Sequence, residues 1–259
     1  AGRTTLNGEG LQHQDGHSHL IASTIPNLKA YDPAYAYEIA VIIQNGLKEM
    51  YEQNKDVFYY LTLENENYVQ PKMPNNVENG IIKGMYKIKE SNNSNLKVQL
   101  LGSGPILNEV IAAAKLLKND WGVESDVWSV TSYSELHKDA EEVNRWNLLN
   151  PEKTNQTSYL DECLIDKNGP VIACSDYVKL VAEQISPYVN CNFTSIGTDG
   201  FGRSGTRGEL RDFFEIDRFH IALAAMNSLY KQGKIKVEMV SELISKYKID
   251  SNKINPLKR

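Results

Sequence analysis

Lys97-Val98-Gln99-Leu100-Leu101-Gly102-Ser103-Gly104-Pro105-Ile106-Leu107-Asn108-Glu109-Val110 is the stretch on which the fold turns. A short apolar run ends in two glycines, and beyond it Ile106, Val110, Ile111, Ala114 and Leu117 recur at helical spacing. That pattern predicts a strand over 97–101, a tight turn at 102–104 and a helix over 105–118. The glycine pair invites a dinucleotide site, because such turns bring backbone amides up to a pyrophosphate. The third glycine of that fingerprint is absent, since Leu107 stands three residues past Gly104, and no acidic residue closes the following strand. Close packing of strand on helix is the better explanation.

The alternation continues downstream. Strands are expected over 126–130, 171–174 and 193–197, and helices over 134–148 and 177–186, the latter ended by Pro187. Two amphipathic helices follow Asp217, one through Leu229 and one over 237–247, parted by Gly233. Strands alternating with helices predict an α/β layer with a mostly parallel sheet. Upstream, residues 4–29 keep neither helical nor strand period and read as a long loop. Asp32 is a candidate N-cap for a helix that starts at Pro33 and runs to Tyr51, and residues 57–63 read as a buried strand. The polar, proline-punctuated stretch 64–84 is the candidate domain boundary.

Composition removes whole classes of partner. With 28 basic and 33 acidic residues among 259, the net charge of -5 leaves no electrostatic footprint for nucleic acid or an anionic membrane. No apolar run approaches the roughly 20 residues that span a bilayer, so a soluble protein is expected, and the cysteine usage places it in the cytoplasm. Cys163, Cys174 and Cys191 are odd in number and lack CxxC spacing, and read as reduced and structural. The opening Ala1-Gly2-Arg3, without a methionine, reads as that of a fragment.

Two segments carry chemistry. Gln12-His13-Gln14-Asp15-Gly16-His17-Ser18-His19 holds three of the chain's five histidines, the others being His137 and His220 in predicted helices. His13, Asp15, His17 and His19 could ligate the metal of a hydrolase. Proton transfer by imidazole, with Asp15 setting tautomer or charge, competes with this, as does a hydrogen-bonded surface loop without chemistry. Because Asp15-Gly16 disfavours a helix, the segment is expected to be extended, with His17 and His19 pointing the same way. The second segment, Gly197 to Arg207, has four glycines, Asp199, Arg203 and Arg207, and suits a shaped loop at the carboxyl edge of a sheet. Its arginines could contact an anion; alternatively Asp199 pairs with one of them and the loop packs on a neighbouring subunit.

Asn7 to His19 resembles the segment that closes over the thiamine ring in the bacterial homodimeric pyruvate dehydrogenase family. Tyr31-Asp32-Pro33-Ala34-Tyr35-Ala36-Tyr37-Glu38, Leu100 to Gly104, Ser125 to Ser132 and Thr198 to Ser204 resemble that family in the same order, nearly end to end. The resemblance implies a transketolase-like subunit, with residues 1–78 the last part of the pyrimidine-binding middle domain and 79–259 the C-terminal domain. It implies thiamine diphosphate- and Mg2+-dependent decarboxylation of pyruvate, with acetyl transfer to the lipoyl group of dihydrolipoyl acetyltransferase, by a homodimer. The residues that anchor the cofactor would precede this chain, which alone is expected to bind neither cofactor nor metal and to be inactive. The Asp-Gly-x-x-His element of the wider transketolase family matches Asp15, Gly16 and His19, which implies that Asp15 and His19 face the substrate. His17 is a second catalytic candidate, and His13 and Gln12 are candidate substrate-loop residues. The C-terminal domain carries no catalytic candidate and is expected to serve dimer contact; a purely structural or regulatory module is the alternative. Where that family is expected to carry an acid before Asp15, Gln14 stands, a change expected to soften one peripheral hydrogen bond.

Overall fold

Two parallel-stranded units, joined through buried polar groups, make up the chain. The computed structural model describes residues 2–92, 94–164 and 169–259. In chain order these form α1 (Ser18–Ser23), β1 (Leu28–Tyr31), α2 (Ala36–Leu47), a π-helical turn Lys48–Glu52, β2 (Phe58–Leu61), α3 (Glu78–Lys83), β3 (Met85–Lys89), β4 (Lys97–Gly102) and α4 (Ile106–Trp121). They continue with β5 (Glu124–Val130), α5 (Tyr133–Leu149), α6 (Tyr159–Leu164), β6 (Val171–Cys174), α7 (Leu180–Glu183), β7 (Phe193–Ile196), α8 (Arg207–Phe213), α9 (Arg218–Lys231) and α10 (Val237–Lys246). β1 pairs with β2 in parallel, Leu28 opposite Phe58. The larger sheet has the order β3-β5-β4-β6-β7, parallel throughout except for β3, which runs antiparallel to β5 at one edge.

Strand alternation splits the larger unit's core between two faces of this sheet. Val98, Leu100, Val127, Ile172 and Cys174 point to one face, where they meet α4 and α9 residues such as Val110, Leu117 and Ile221. Leu101, Trp128, Val130, Val171 and Ala173 point to the other and pack with Tyr133, Leu136 and Val181. Each fully buried leucine or valine here contributes roughly 1.5–3 kcal/mol of transfer free energy. Cys174 is a core residue and all three cysteines are free thiols.

Several elements escape the periodicities. β1 and α1 lie in the stretch expected as loop: Leu28 and Ala30 are buried, but the strand is too short to show alternation. The expected helix over 177–186 contracts to α7 because backbone groups before it are bonded elsewhere. The Val178 amide donates to the Gly16 carbonyl at 3.0 Å, and the Tyr177 carbonyl accepts from the Thr198 amide at 2.8 Å. Asp32 is not an N-cap. α2 starts at Ala36 and its entry is closed by Glu38, whose carboxylate accepts from the amides of Ala34 (2.5 Å) and Tyr35 (2.9 Å). Asp32 turns inward instead, towards the turn after β4.

That turn explains its two glycines. A Cβ on Gly102 would meet Val110 and Leu107 of α4 at 2.9–3.0 Å, and one on Gly104 would meet the Asp32 carboxylate at 2.8 Å. Gly104 also has φ +48°, where an L-residue costs roughly 1–2 kcal/mol. Gly122, just past α4, has φ +66° with nothing within 4 Å of its missing Cβ, and so isolates the backbone cost. Urea denaturation is expected to show Gly122→Ala destabilising by about 1 kcal/mol and Gly104→Ala by at least about 2 kcal/mol. Equal costs would refute the packing account of Gly104.

Candidate functional site

The four candidate metal ligands of the histidine-rich segment do not converge. His13 is exposed, with Nε2 3.9 Å from Glu9. Gln12 and His17 are exposed, while Asp15 is half-buried and His19 is 5% exposed. Among the described residues, the one group of three with ligand atoms within 4.8 Å of each other is Asp212, Asp217 and His220, far along the chain. Nothing in this geometry favours a metal-dependent hydrolase.

The expected extended run through 15–19 is replaced by a helical turn. Asp15 Oδ1 accepts from the amides of His17 (2.9 Å) and Ser18 (3.0 Å), and Oδ2 accepts from the Ser18 hydroxyl. Donors that lack a partner at the start of a helix are thereby satisfied. Burial alone would raise the Asp15 carboxyl, but these hydrogen bonds outweigh it and hold it below the usual range. Two residues apart on a helix face nearly opposite directions; His17 therefore looks outward and His19 inward.

His19 sits between two aromatic rings. Tyr60 lies edge-on at 5.5 Å, and Tyr177, from the larger unit, at 4.7 Å between centroids. Its Nε2 is 3.0 Å from Thr62 Oγ1. Burial pushes the imidazole down to about 4 against the opposing pull of Asp15 and Glu64, so the ring is neutral at physiological pH. Thr62 donates to Asp32 Oδ1 at 2.7 Å, and Ser103, in the turn after β4, donates to Asp32 Oδ2 at 2.8 Å. Burial raises the Asp32 carboxyl, and these two hydroxyls pull it back. His19, Asp32, Ser103, Ser132 and Ser134 border a cavity of about 10 Å³, room for about one water.

The rest of the segment takes its shape from the far end of the chain. The Gly8 amide donates to Gly205 O at 3.0 Å. Arg207 Nε donates to Thr5 O at 3.1 Å, and Arg3 Nη1 donates to Thr198 O at 2.7 Å and to Gly200 O. Gln14, 7% exposed, donates to Arg203 O at 2.7 Å and accepts from Arg203 N at 2.8 Å. A carboxylate could only accept, so Gln14 is a two-way clamp rather than a softened peripheral contact. The glycine loop thus packs on its own chain. Arg207 is committed to carbonyls and to Glu66, and Arg203 stacks on Phe213, so neither is displayed for an anion.

Beneath this loop the Thr4 amide and hydroxyl donate to Asp176 Oδ1 (3.1 and 2.6 Å), and the Thr5 hydroxyl donates to Glu64 Oε2 (2.7 Å). Burial pushes Asp176 up to about 8, helped by nearby Glu64, whose carboxyl is itself raised by burial and by Asp32. Thr62, Tyr177, Glu64 and Asp176 escaped sequence reasoning, which read Asp32 and Ser103 only as a helix cap and a turn residue. One available signal was Ser175-Asp176 directly after β6, since polar residues at the carboxyl ends of parallel strands line sites.

A carboxyl whose folded pKa is raised contributes stability that is lost as pH rises through that pKa. Asp176 is protonated in the folded chain and ionised in the unfolded one between about 4 and 8. Above about 6.5, His19 is neutral in both states and drops out. Chemical denaturation is therefore expected to show stability falling from pH 6.5 to 8, by up to about 1.4 kcal/mol per pH unit. Asp176→Asn should flatten that fall; an unchanged slope in the variant would exclude Asp176 as its source.

Residues 1–71 match the family described as pyruvate dehydrogenase E1 component middle domain, and residues 84–217 match the transketolase-like C-terminal domain. Over 99% of its length the chain is 57% identical to the pyruvate dehydrogenase E1 component of Pseudomonas aeruginosa and 50% identical to that of Escherichia coli. It spans 29% of the length of each of these relatives. The transketolase of Leishmania mexicana superposes with a TM-score of 0.66 at 18% identity, over 89% of this chain and 29% of that one. The transketolase of Campylobacter jejuni gives 0.64 at 18% identity, over 87% and 30%; at such identities these two likenesses speak for the fold alone. An α/β sheet parallel but for one edge strand and the matched C-terminal domain agree: the chain belongs to the transketolase-like family, and along almost its whole length it is similar to pyruvate dehydrogenase E1 components.

Proposed function

We propose that this chain is part of a thiamine diphosphate-dependent pyruvate dehydrogenase, acting within a homodimer in the cytoplasm, with His19 and Asp15 as its proton-handling residues. The observation that carries this reading is the 57% identity to a pyruvate dehydrogenase E1 component along 99% of the chain. The substrate would be pyruvate, and the acetyl group would pass to a lipoyl group of dihydrolipoyl acetyltransferase.

The donor set here fits one side of such a cofactor. A neutral imidazole and one hydrogen-bonded carboxylate, Asp32, face the small cavity, without the lysines or arginines that a diphosphate would require. These residues would meet the reacting end of thiamine diphosphate, and the diphosphate and magnesium would be held by the rest of the subunit. When bound, the cofactor supplies the electron sink for loss of carbon dioxide.

What the chain's own residues supply is proton control. Neutral at working pH, His19 can accept a proton at one nitrogen while donating from the other. Asp15, ionised and braced by Ser18, supplies a fixed negative charge that favours the transient imidazolium. Tyr60 and Tyr177 keep bulk water off the ring. His17, His13 and Gln12, exposed on the same segment, are free to meet the substrate or another subunit.

His19→Gln keeps the bulk of the side chain and a donor for Thr62 but loses the titratable ring. In the complete subunit it is expected to keep cofactor affinity and to lower turnover by roughly 10²- to 10⁴-fold. His17→Ala, with no packing to lose, should cost less. Decarboxylation with an artificial acceptor and lipoyl transfer would be assayed separately; wild-type rates for His19→Gln in both would overturn the assignment.

A further inference from the structure

We propose that Thr62 is a positioning residue that holds the ring proton of His19 on Nε2 and so leaves Nδ1 as the accepting nitrogen, Asp32 and Ser103 setting the direction of the relay. This rests on the proton-handling role of His19 above and specifies which atom performs it.

The direction follows from counting protons. Thr62 has one hydroxyl hydrogen and three acceptors within reach: Asp32 Oδ1 at 2.7 Å, the Tyr31 carbonyl at 3.4 Å and the Tyr177 hydroxyl, whose own proton goes to Glu64 Oε1. The shorter, charge-assisted bond wins. Ser103 gives its own proton to Asp32 Oδ2 at 2.8 Å, so the carboxylate receives on both oxygens and has none to return. Thr62 Oγ1, its proton spent, can only accept from His19 Nε2 at 3.0 Å. A neutral imidazole that donates at one nitrogen presents a lone pair at the other. Among the described residues His19 Nδ1 has no hydrogen-bond partner, which leaves that lone pair available. The titratable groups facing the ring from the surrounding elements are Tyr60, Tyr177, Asp15 and Glu64, with Asp32 behind Thr62.

The relay also assigns a task to the second half of the chain. Ser103, in the turn after β4, and Tyr177, after β6, are two of its contacts with His19's surroundings. One orients the acid that orients Thr62; the other fixes the ring plane. The larger unit thereby acts on the proton of His19 through Ser103, Asp32 and Thr62.

Thr62→Val is nearly isosteric and removes both ends of the relay, while Thr62→Ser restores them. The test uses the complete enzyme with 13C-labelled histidine, the Cγ and Cδ2 signals of His19 being identified by their loss in His19→Gln. Wild type and Thr62→Ser are expected to show the Nε2–H form alone at neutral pH, and Thr62→Val a mixture or the Nδ1–H form. With melting temperature and cofactor affinity retained, Thr62→Val should lower kcat roughly tenfold with little change in KM, the worth of about one hydrogen bond. Thr62→Ser should recover most of that loss. An Nδ1–H or protonated His19 in wild type would overturn the proposal, as would an unchanged ring signal in Thr62→Val. A shifted tautomer with unchanged kcat would instead remove His19 from the chemistry, overturning the functional role and not the tautomer.

Discussion

A carboxylate taken out of water must be met on every side, and Asp32 is where this chain meets that demand with groups from both of its units. Its oxygens take hydroxyl protons from Thr62 and Ser103, its amide donates to Thr131 O at 2.8 Å, and its carbonyl accepts from Gly104 N at 3.0 Å. Removing one partner from such a group costs about 1–3 kcal/mol, more than making the bond contributes. The geometry around it is correspondingly rigid. It dictates glycine at 104, holds the turn after β4 against the end of β1, and passes its orientation through Thr62 to His19.

Much of the larger unit was legible because its elements are long and buried on a definite face. Val98 to Gly104 and the apolar series of α4 state strand, turn and helix in one reading, and α9 and α10 show their stripes as clearly. The elements that were missed are short or depend on partners far away in sequence. β3 is an edge strand of five residues, Met85 to Lys89, that only its pairing with β5 defines. Asp32 followed by proline has the composition of a cap; what draws it inward is Thr62, thirty residues on, and Ser103, seventy-one on.

The histidine-rich segment shows the same limit at closer range. Its composition marked it as the chemical part of the chain, and the family resemblance singled out Asp15 and His19. Neither could tell that Asp15 would start a helical turn and so send His17 and His19 to opposite sides. That difference separates a ring that is desolvated and neutral from one that stays in solvent, although they lie two positions apart. Spacing identified the candidates; burial distinguishes them.

Contacts between residues 3–14 and residues 198–211 join the beginning of this chain to its far end, across about two hundred positions in sequence. Bringing together sites so distant carries a loop-closure cost that local structure does not repay, and such contacts form late. The histidine-rich segment is therefore made before the residues that fix it, through contacts of the kind that form late in folding. Until the loop after β7 has been made, Arg3 and Gln14 lack the carbonyls they bind and Arg211 is not there to reach Thr4. A chain that stops short of the loop after β7 lacks the groups that fix Arg3, Thr4 and Gln14.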